Sequence, residues 1–161
     1  MSVEQNTDLV PLKVHGVLVD PNTDTQIVIL RDDSNADVLP IWVGTAEGTS
    51  IRLALEGMMP PRPMSHDLIA SMTDHLGVKI SHVVVTDVKN NTYFATIHLT
   101  SNDVERTVDS RPSDAIALAL RSRCPIYVTT DVLKRRGGEN LEAWLAKLDP
   151  QQFGQPETEN P

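Results

Sequence analysis

The chain is poor in several things at once. It has one cysteine, Cys124, so no intrachain disulfide framework can form, and a free thiol fits a reducing compartment. Aromatic residues make up only 4% of the sequence, which leaves the core to Val, Ile, Leu, Ala and Met. No apolar run approaches the roughly 20 residues of a membrane span. The opening MSVEQNTDLVPL carries neither a basic leader nor an apolar segment of signal type, so no secretory signal is expected. The reading is a cytoplasmic protein without a membrane partner. Positive net charge is lacking too. At −8 the protein is unsuited to general electrostatic adhesion to nucleic acid, which rests on Lys and Arg at phosphates.

What is present is enough for one core. Apolar residues reach 40% of 161, which suits a single domain of ordinary size. Residues 1–8 and the tail 151–161 are polar and read as a flexible N-terminus and a disordered tail. The body, about 9–150, reads as one domain. Its charge is uneven. Between residues 106 and 136, Arg106, Arg111, Arg121, Arg123, Lys134, Arg135 and Arg136 are opposed only by Asp109, Asp114 and Asp131. A local basic surface is one explanation, and solvated helix ends are the plainer one.

The first third predicts strands: LKVHGVLVD, TQIVILRD and DVLPIWVG, separated by turn residues. Pro40 argues for an edge position or a bulge in the third. A helix follows over about 46–58, with Ile51, Ala54, Leu55 and Met58 on one stripe, Thr45 as its cap and the prolines of MMPPRP as its stop. Ser65 is expected to cap a second helix over 66–76, with Leu68, Ile69, Met72 and Leu76 as its apolar stripe and Gly77 after its end. A hairpin over 78–100 turns at Asn90-Asn91, with Val88 facing Tyr93, Thr86 facing Ala95 and Val84 facing Ile97. A third strand covers about 103–109. PIYVT reads as a short buried strand, TDVLKRRGG as a turn or short helix, and ENLEAWLAKL as a last helix. The fold class is therefore α+β: a mixed, mainly antiparallel sheet with about three to four helices.

One stretch stands apart, 108-VDSRPSDAIALAL-120. Helix-start logic explains part of it. Arg111, placed before proline, is pushed out of the helical region as an N-cap residue should be. Pro112 suits the first helical position, and Asp114 at the third can reach back to the N-cap N–H. Neither Arg111 at a poor cap position nor Asp109 beside it is explained this way. Arg111 has Asp109 and Glu47 as possible partners.

Several segments together resemble the bifunctional nuclease domain family of bacteria and plants: 39-LPIWVGTAEGTSIRLALEG-57, 61-PRPMSHDL-68, 107-TVDSRPSDAIALALR-121 and 125-PIYV-128. They stand in the family's order and approximate spacing, and the resemblance covers about residues 10–153. Two departures are visible. Gly48 stands where the family usually has Ala, and the UVR helical motif found at the C-terminus of many members has no match. The resemblance implies a nuclease acting on RNA and DNA.

Phosphodiester hydrolysis needs a positioned water and charge neutralisation at phosphorus, which many nucleases achieve with Mg²⁺ or Mn²⁺ on carboxylates plus an Arg or Lys clamp. Candidate catalytic residues are Asp109, Arg111 and Asp114, with Asp109 and Asp114 as metal ligands and Arg111 as a phosphate clamp. Glu47, at a helix start, is a further candidate. Glu56, nine residues on, lies on the far side of that helix and is explained by a surface pair with Arg52. His66 could serve as acid or base near neutral pH. Arg62, Arg121 and Arg123 are candidate substrate-binding cations. His15, His82 and His98 fall on predicted strands, and no HxH, HExxH or CxxC pattern signals zinc. The competing reading is a non-catalytic oligomeric interaction or regulatory module. Self-association is expected on either reading, because apolar strands with a proline-bearing edge leave surface that another copy can cover.

Overall fold

The computed structural model describes residues 8–34 and 37–136. The expected helix ENLEAWLAKL, residues 1–7 and the tail 151–161 lie outside the described residues. The order is β1 (Leu9–Val19), β2 (Gln26–Arg31), β3 (Val38–Val43), α1 (Thr45–Leu55), α2 (Ser65–His75), β4 (Lys79–Lys89), β5 (Thr92–Ser101), β6 (Val104–Ser110), α3 (Pro112–Ser122), β7 (Ile126–Thr129) and α4 (Thr130–Arg135). The strands form one seven-stranded sheet, β3-β2-β1-β7-β4-β5-β6. All pairings are antiparallel except β4 with β7. The fold is α+β, a mainly antiparallel mixed sheet with four helices among the described residues. Pro40 sits on edge strand β3, where a missing N–H costs the ladder least.

The parallel strand is what seats α3. A strand that joins its neighbour in parallel needs a long crossover, and α3 supplies it, carrying the chain from edge strand β6 back to central β7. Ala115, Ile116, Ala117 and Ala119 are fully buried in the main core with Val83, Val85, Ala95, Ile97 and Val128. Alanine at three of those positions lets the helix backbone approach the sheet closely.

The hairpin departs from the expected register. Asn90 and Asn91 do form the turn, with φ of 51° and 62°, and Val88 does face Tyr93. A bulge at Thr86 then shifts the pairing, so Ala95 faces Val85 rather than Thr86, and Ile97 faces Val83 rather than Val84. One extra residue exchanges the two faces of the strand. It turns Thr86 away from α3 and puts Val83 and Val85 in its place.

The helix boundaries also correct three expectations. Gly44, not Thr45, is the N-cap of α1, and the Thr45 hydroxyl donates to the Asp24 carbonyl at 3.0 Å. Gly57 (φ 68°) ends that helix before the prolines are reached, with its N–H on Ala54 O and that of Met58 on Leu53 O, a Schellman closure. Met64, not Ser65, precedes α2. Arg52 reaches Gln26 Oε1 at 3.2 Å rather than Glu56. Gly48 packs against that same Gln26, where an added Cβ would overlap the glutamine side chain. The two apolar stripes fare differently from expectation. Ile51 is buried, but Leu55, Met58, Leu68, Ile69, Met72 and Leu76 are all exposed.

Candidate active site

Three helices begin close together, and each carries an acid at its third position: Glu47 in α1, Asp67 in α2 and Asp114 in α3. None of their N-caps, Gly44, Met64 and Arg111, caps with a side-chain hydrogen bond. An acid there favours the positive helix end. Here each acid also takes an arginine: Asp114 takes the N-cap of its own helix, while Glu47 and Asp67 take Arg111 and Arg121 and so tie α1 and α2 to α3.

Arg111 is the hub. Its Nε donates to Asp114 Oδ2 at 2.9 Å, Nη2 to Asp114 Oδ1 at 3.1 Å, and Nη1 to Glu47 Oε1 at 3.0 Å. Asp114 therefore grips the Arg111 side chain instead of capping its backbone. Glu47, not Asp109, is the second partner. A guanidinium has five N–H donors, and these contacts use three of them. The two carboxylates hold Arg111 strongly protonated, through the hydrogen bonds of Asp114 first and Glu47 second. In return the Asp114 carboxyl lies below its usual range, chiefly because of Arg111. Glu47 is lowered by a hydrogen bond from its own backbone N–H and then by Arg111.

Behind Asp114 lies a buried relay. His66 Nε2 is 2.9 Å from Asp114 Oδ1, and His66 Nδ1 is 2.7 Å from Ser50 Oγ. An ionised carboxylate can only accept, so Nε2 carries a proton and donates to Asp114, while Nδ1 shares the second hydrogen bond with the Ser50 hydroxyl. The order Ser–His–Asp is that of a hydrolase triad. Ser50 is only 3% exposed, however, and no substrate carbonyl or phosphate can reach it. The relay orients Asp114 and, through it, Arg111. It is also where α1, α2 and α3 meet.

The exposed side of Arg111 faces a cleft of about 360 Å³, lined by Trp42, Glu47, Asn91, Tyr93, Pro112 and neighbouring backbone. Edge strand β3, the tip of the β4–β5 hairpin and the start of α3 form its walls. Trp42 is half exposed.

The other candidate residues are not gathered here. Asp109 faces Thr96 across β5–β6. Thr96 alternates with the core residues Ala95 and Ile97, so Asp109 stands on the sheet face opposite α3. Asp114 has both oxygens engaged by Arg111 and His66. These two aspartates do not fit a shared ion. Arg121 is 10% exposed and lies inside the fold: Nε donates to Asp67 Oδ1 at 2.7 Å, Nη1 to Ala117 O and Nη2 to Ser50 O. Burial pushes the Asp67 carboxyl up, but the Arg121 hydrogen bond and the Met64 N–H outweigh it and leave it low. Arg123 is the left-handed C-cap of α3, about 16 Å from the helix start at 1.5 Å per residue. Arg62 is exposed in the loop after α1 and does not line the cleft.

Sequence reasoning passed over Ser50, Trp42 and Tyr93, and it set His82 and His98 aside for want of a zinc pattern without finding Glu105 beside them. His82, His98 and Glu105 have ligand-type atoms within 4.8 Å of one another. In the unbulged register His82 would face Leu99. The bulge at Thr86 sets it against His98. The signal that could have found this pair was the misplaced threonine in the core face of the expected hairpin.

No helix among the described residues is long and apolar enough to cross a membrane. A family model described as the bifunctional nuclease domain matches residues 28–140. An uncharacterized protein of Mycobacterium tuberculosis is 36% identical over 126 residues, which is 78% of this chain and 75% of that protein. Bifunctional nuclease 2 of Arabidopsis thaliana is 32% identical over 105 residues, 63% of this chain and 32% of the plant protein. Bifunctional nuclease 1 of Oryza sativa subsp. japonica is 29% identical over 114 residues, 69% of this chain and 34% of the relative. The chain spans about a third of the length of these plant relatives. The matched span runs from β2 through α4 and includes every residue of the Arg111 cluster, so the chain belongs to the bifunctional nuclease domain family.

Proposed function

We propose that this protein is a nuclease hydrolysing phosphodiester bonds of RNA and DNA, and that substrate phosphate enters the Arg111 cleft. One observation carries the reading. Arg111 is 62% exposed along its side chain, yet is held from behind by Glu47 and Asp114. A guanidinium fixed in this way presents its two remaining N–H groups without reorganising, which is the arrangement that stabilises a charged phosphoryl transition state. The N-terminus of α3 adds backbone N–H groups beside it. Trp42 and Tyr93 at the rim are suited to stacking on an unpaired base. That arrangement favours single-stranded substrate.

The roles of the other residues follow from position. His66 and Ser50 are positioning residues, because they act on Asp114 from within the core. A carboxylate held below its usual range is a weak base, so Glu47 and Asp114 contribute charge and orientation more than proton transfer. The Mg²⁺ or Mn²⁺ that the family likeness implies has no convergent pair at Asp109 and Asp114, and the fixed cation of the cleft is Arg111. Residues of about 9–150 would act as one domain, and the lone Cys124 favours a cytoplasmic setting.

The test is cleavage of single-stranded RNA and DNA by tag-free protein, with added Mg²⁺ or Mn²⁺ and with chelator. Arg111→Gln is expected to lower the rate by on the order of a hundredfold or more, far more than its loss of stability accounts for. Cleavage that survives this change unaltered would place the activity elsewhere or in a contaminant.

A second reading, an oligomeric interaction module, is favoured by a different observation: Leu68, Ile69, Met72 and Leu76 leave the outer face of α2 apolar and exposed. On this reading the face meets a second copy. Light scattering on Met72→Lys would then report a smaller particle than the parent chain, and equal masses would count against it.

A further inference from the structure

His82, His98 and Glu105 lie on the sheet face opposite the Arg111 cluster. His98 and Thr96 alternate along β5 with Ala95 and Ile97, which pack under α3. His82 pairs with His98 across β4–β5. Glu105 reaches them from β6, with Oε1 3.0 Å from His98 Nδ1. The two imidazoles stack at 4.1 Å between centroids with 16° between their planes. All three side chains line a cavity of about 390 Å³, together with Leu9, Val84 and the threonines 86, 96 and 129. We infer that these three residues form a binding site for a divalent transition metal of the Zn²⁺ and Co²⁺ class, independent of the proposed nuclease cleft.

Three features support the site. The donor set comes first. Two imidazole nitrogens and one carboxylate oxygen suit Zn²⁺, Co²⁺ or Ni²⁺, whereas Mg²⁺ prefers oxygen ligands and water. The three ligand atoms fall within 4.8 Å of one another. A tetrahedral ion with bonds of 2.0–2.1 Å would hold them about 3.3 Å apart, so the stacked rings must turn and the ligand atoms draw together to take it.

The second feature is orientation. The Ser81 hydroxyl donates to the His98 carbonyl at 3.2 Å. Its oxygen then accepts from His82 Nδ1, 3.1 Å away. That hydrogen bond orients the His82 ring beside His98. Hydrogen bonds of this kind commonly orient ligating histidines.

The third is the open side. Three protein ligands leave a fourth position for water or a small anion, as in exchangeable and catalytic sites rather than closed structural ones. The cavity gives that position room.

The test is a Co²⁺ titration of the full tag-free chain, read by visible d–d absorption, with Zn²⁺ competition and with Tm measured in parallel. The expected result is one ion per chain, displaced by Zn²⁺ but not by equal Mg²⁺, and a Tm that rises with Zn²⁺. Glu105→Gln and His98→Gln should weaken binding by on the order of tenfold or more. Arg111→Gln should bind as the parent does. His98 is buried, so its variant is judged only if its metal-free circular dichroism matches the parent. Glu105 is exposed and carries the test regardless. Absence of saturable one-to-one binding, or equal affinity in Glu105→Gln, would overturn the assignment.

Discussion

Helices α2 and α3 are both eleven residues long, and both open on a polar cluster with an aspartate at the third position. Their surroundings could hardly differ more. Helix α3 buries seven residues, including Ala115 through Ala119, while α2 buries only His66. The apolar stripe of α2 points to solvent, and what fastens this helix is polar: Asp67 to Arg121, and His66 to Ser50 and Asp114. A helix can thus be anchored by its charged first turn while its apolar face stays open. In α3 the apolar face is the anchor, and the charged first turn is left for the cleft.

The largest expected effect tests the packing of α3. Ile116→Ala empties a fully buried position and should destabilise the fold by about 3 kcal/mol in urea unfolding. Met72→Ala on the outer face of α2 should stay within about 0.5 kcal/mol. Comparable losses at the two sites would mean that α2 is covered in solution.

Next comes the polar anchor. Asp67→Asn leaves Arg121 charged and 10% exposed without its partner, and should cost about 3 kcal/mol or slightly less. A value near zero would show that the α2 anchor is dispensable.

A smaller loss, about 1–2 kcal/mol, is expected for Asp114→Asn, which weakens hydrogen bonds to Arg111 and His66. On the proposed function its effect on cleavage should far exceed its effect on stability. A cleavage rate that falls only in step with Tm would make Asp114 a structural residue like Asp67.

The smallest effect is the acid response. Glu47, Asp67 and Asp114 all titrate below their usual ranges. Groups depressed in the folded state stabilise it above their unfolded pKa values, and that contribution is lost as pH falls through the folded ones. Tm should therefore be flat near neutrality and begin to fall below about pH 4. The fall should be shallower in Asp67→Asn. An unchanged slope in that variant would remove Asp67 from the acid-sensitive set.

Much of the fold was legible because local chemistry dictates it. Pro112 at the first helical position, Gly77 after α2, the Asn90-Asn91 turn and the edge location of Pro40 each follow from the conformations those residues permit. The hairpin register was not legible beyond the turn. A bulge at Thr86 depends on which strand face α3 will cover, and that is settled by packing across many residues. The outward stripe of α2 escaped for the same reason: periodicity identifies an apolar face without saying what lies against it.

The candidate site divides along the same line. The sequence alone determined that Arg111 would be an N-cap in an extended conformation, followed by Pro112 and by Asp114 within its reach, because proline restricts the residue before it and a helical turn fixes the spacing after it. It also left Glu47 as one of two partners for Arg111. Only the tertiary structure decided between Glu47 and Asp109, drew Arg121 inside, set His66 and Ser50 behind Asp114 and brought His82 against His98. The physical reason is that these contacts join segments from 16 to 71 residues apart. Their geometry is set by how the helices and strands pack, which no short stretch of chain specifies.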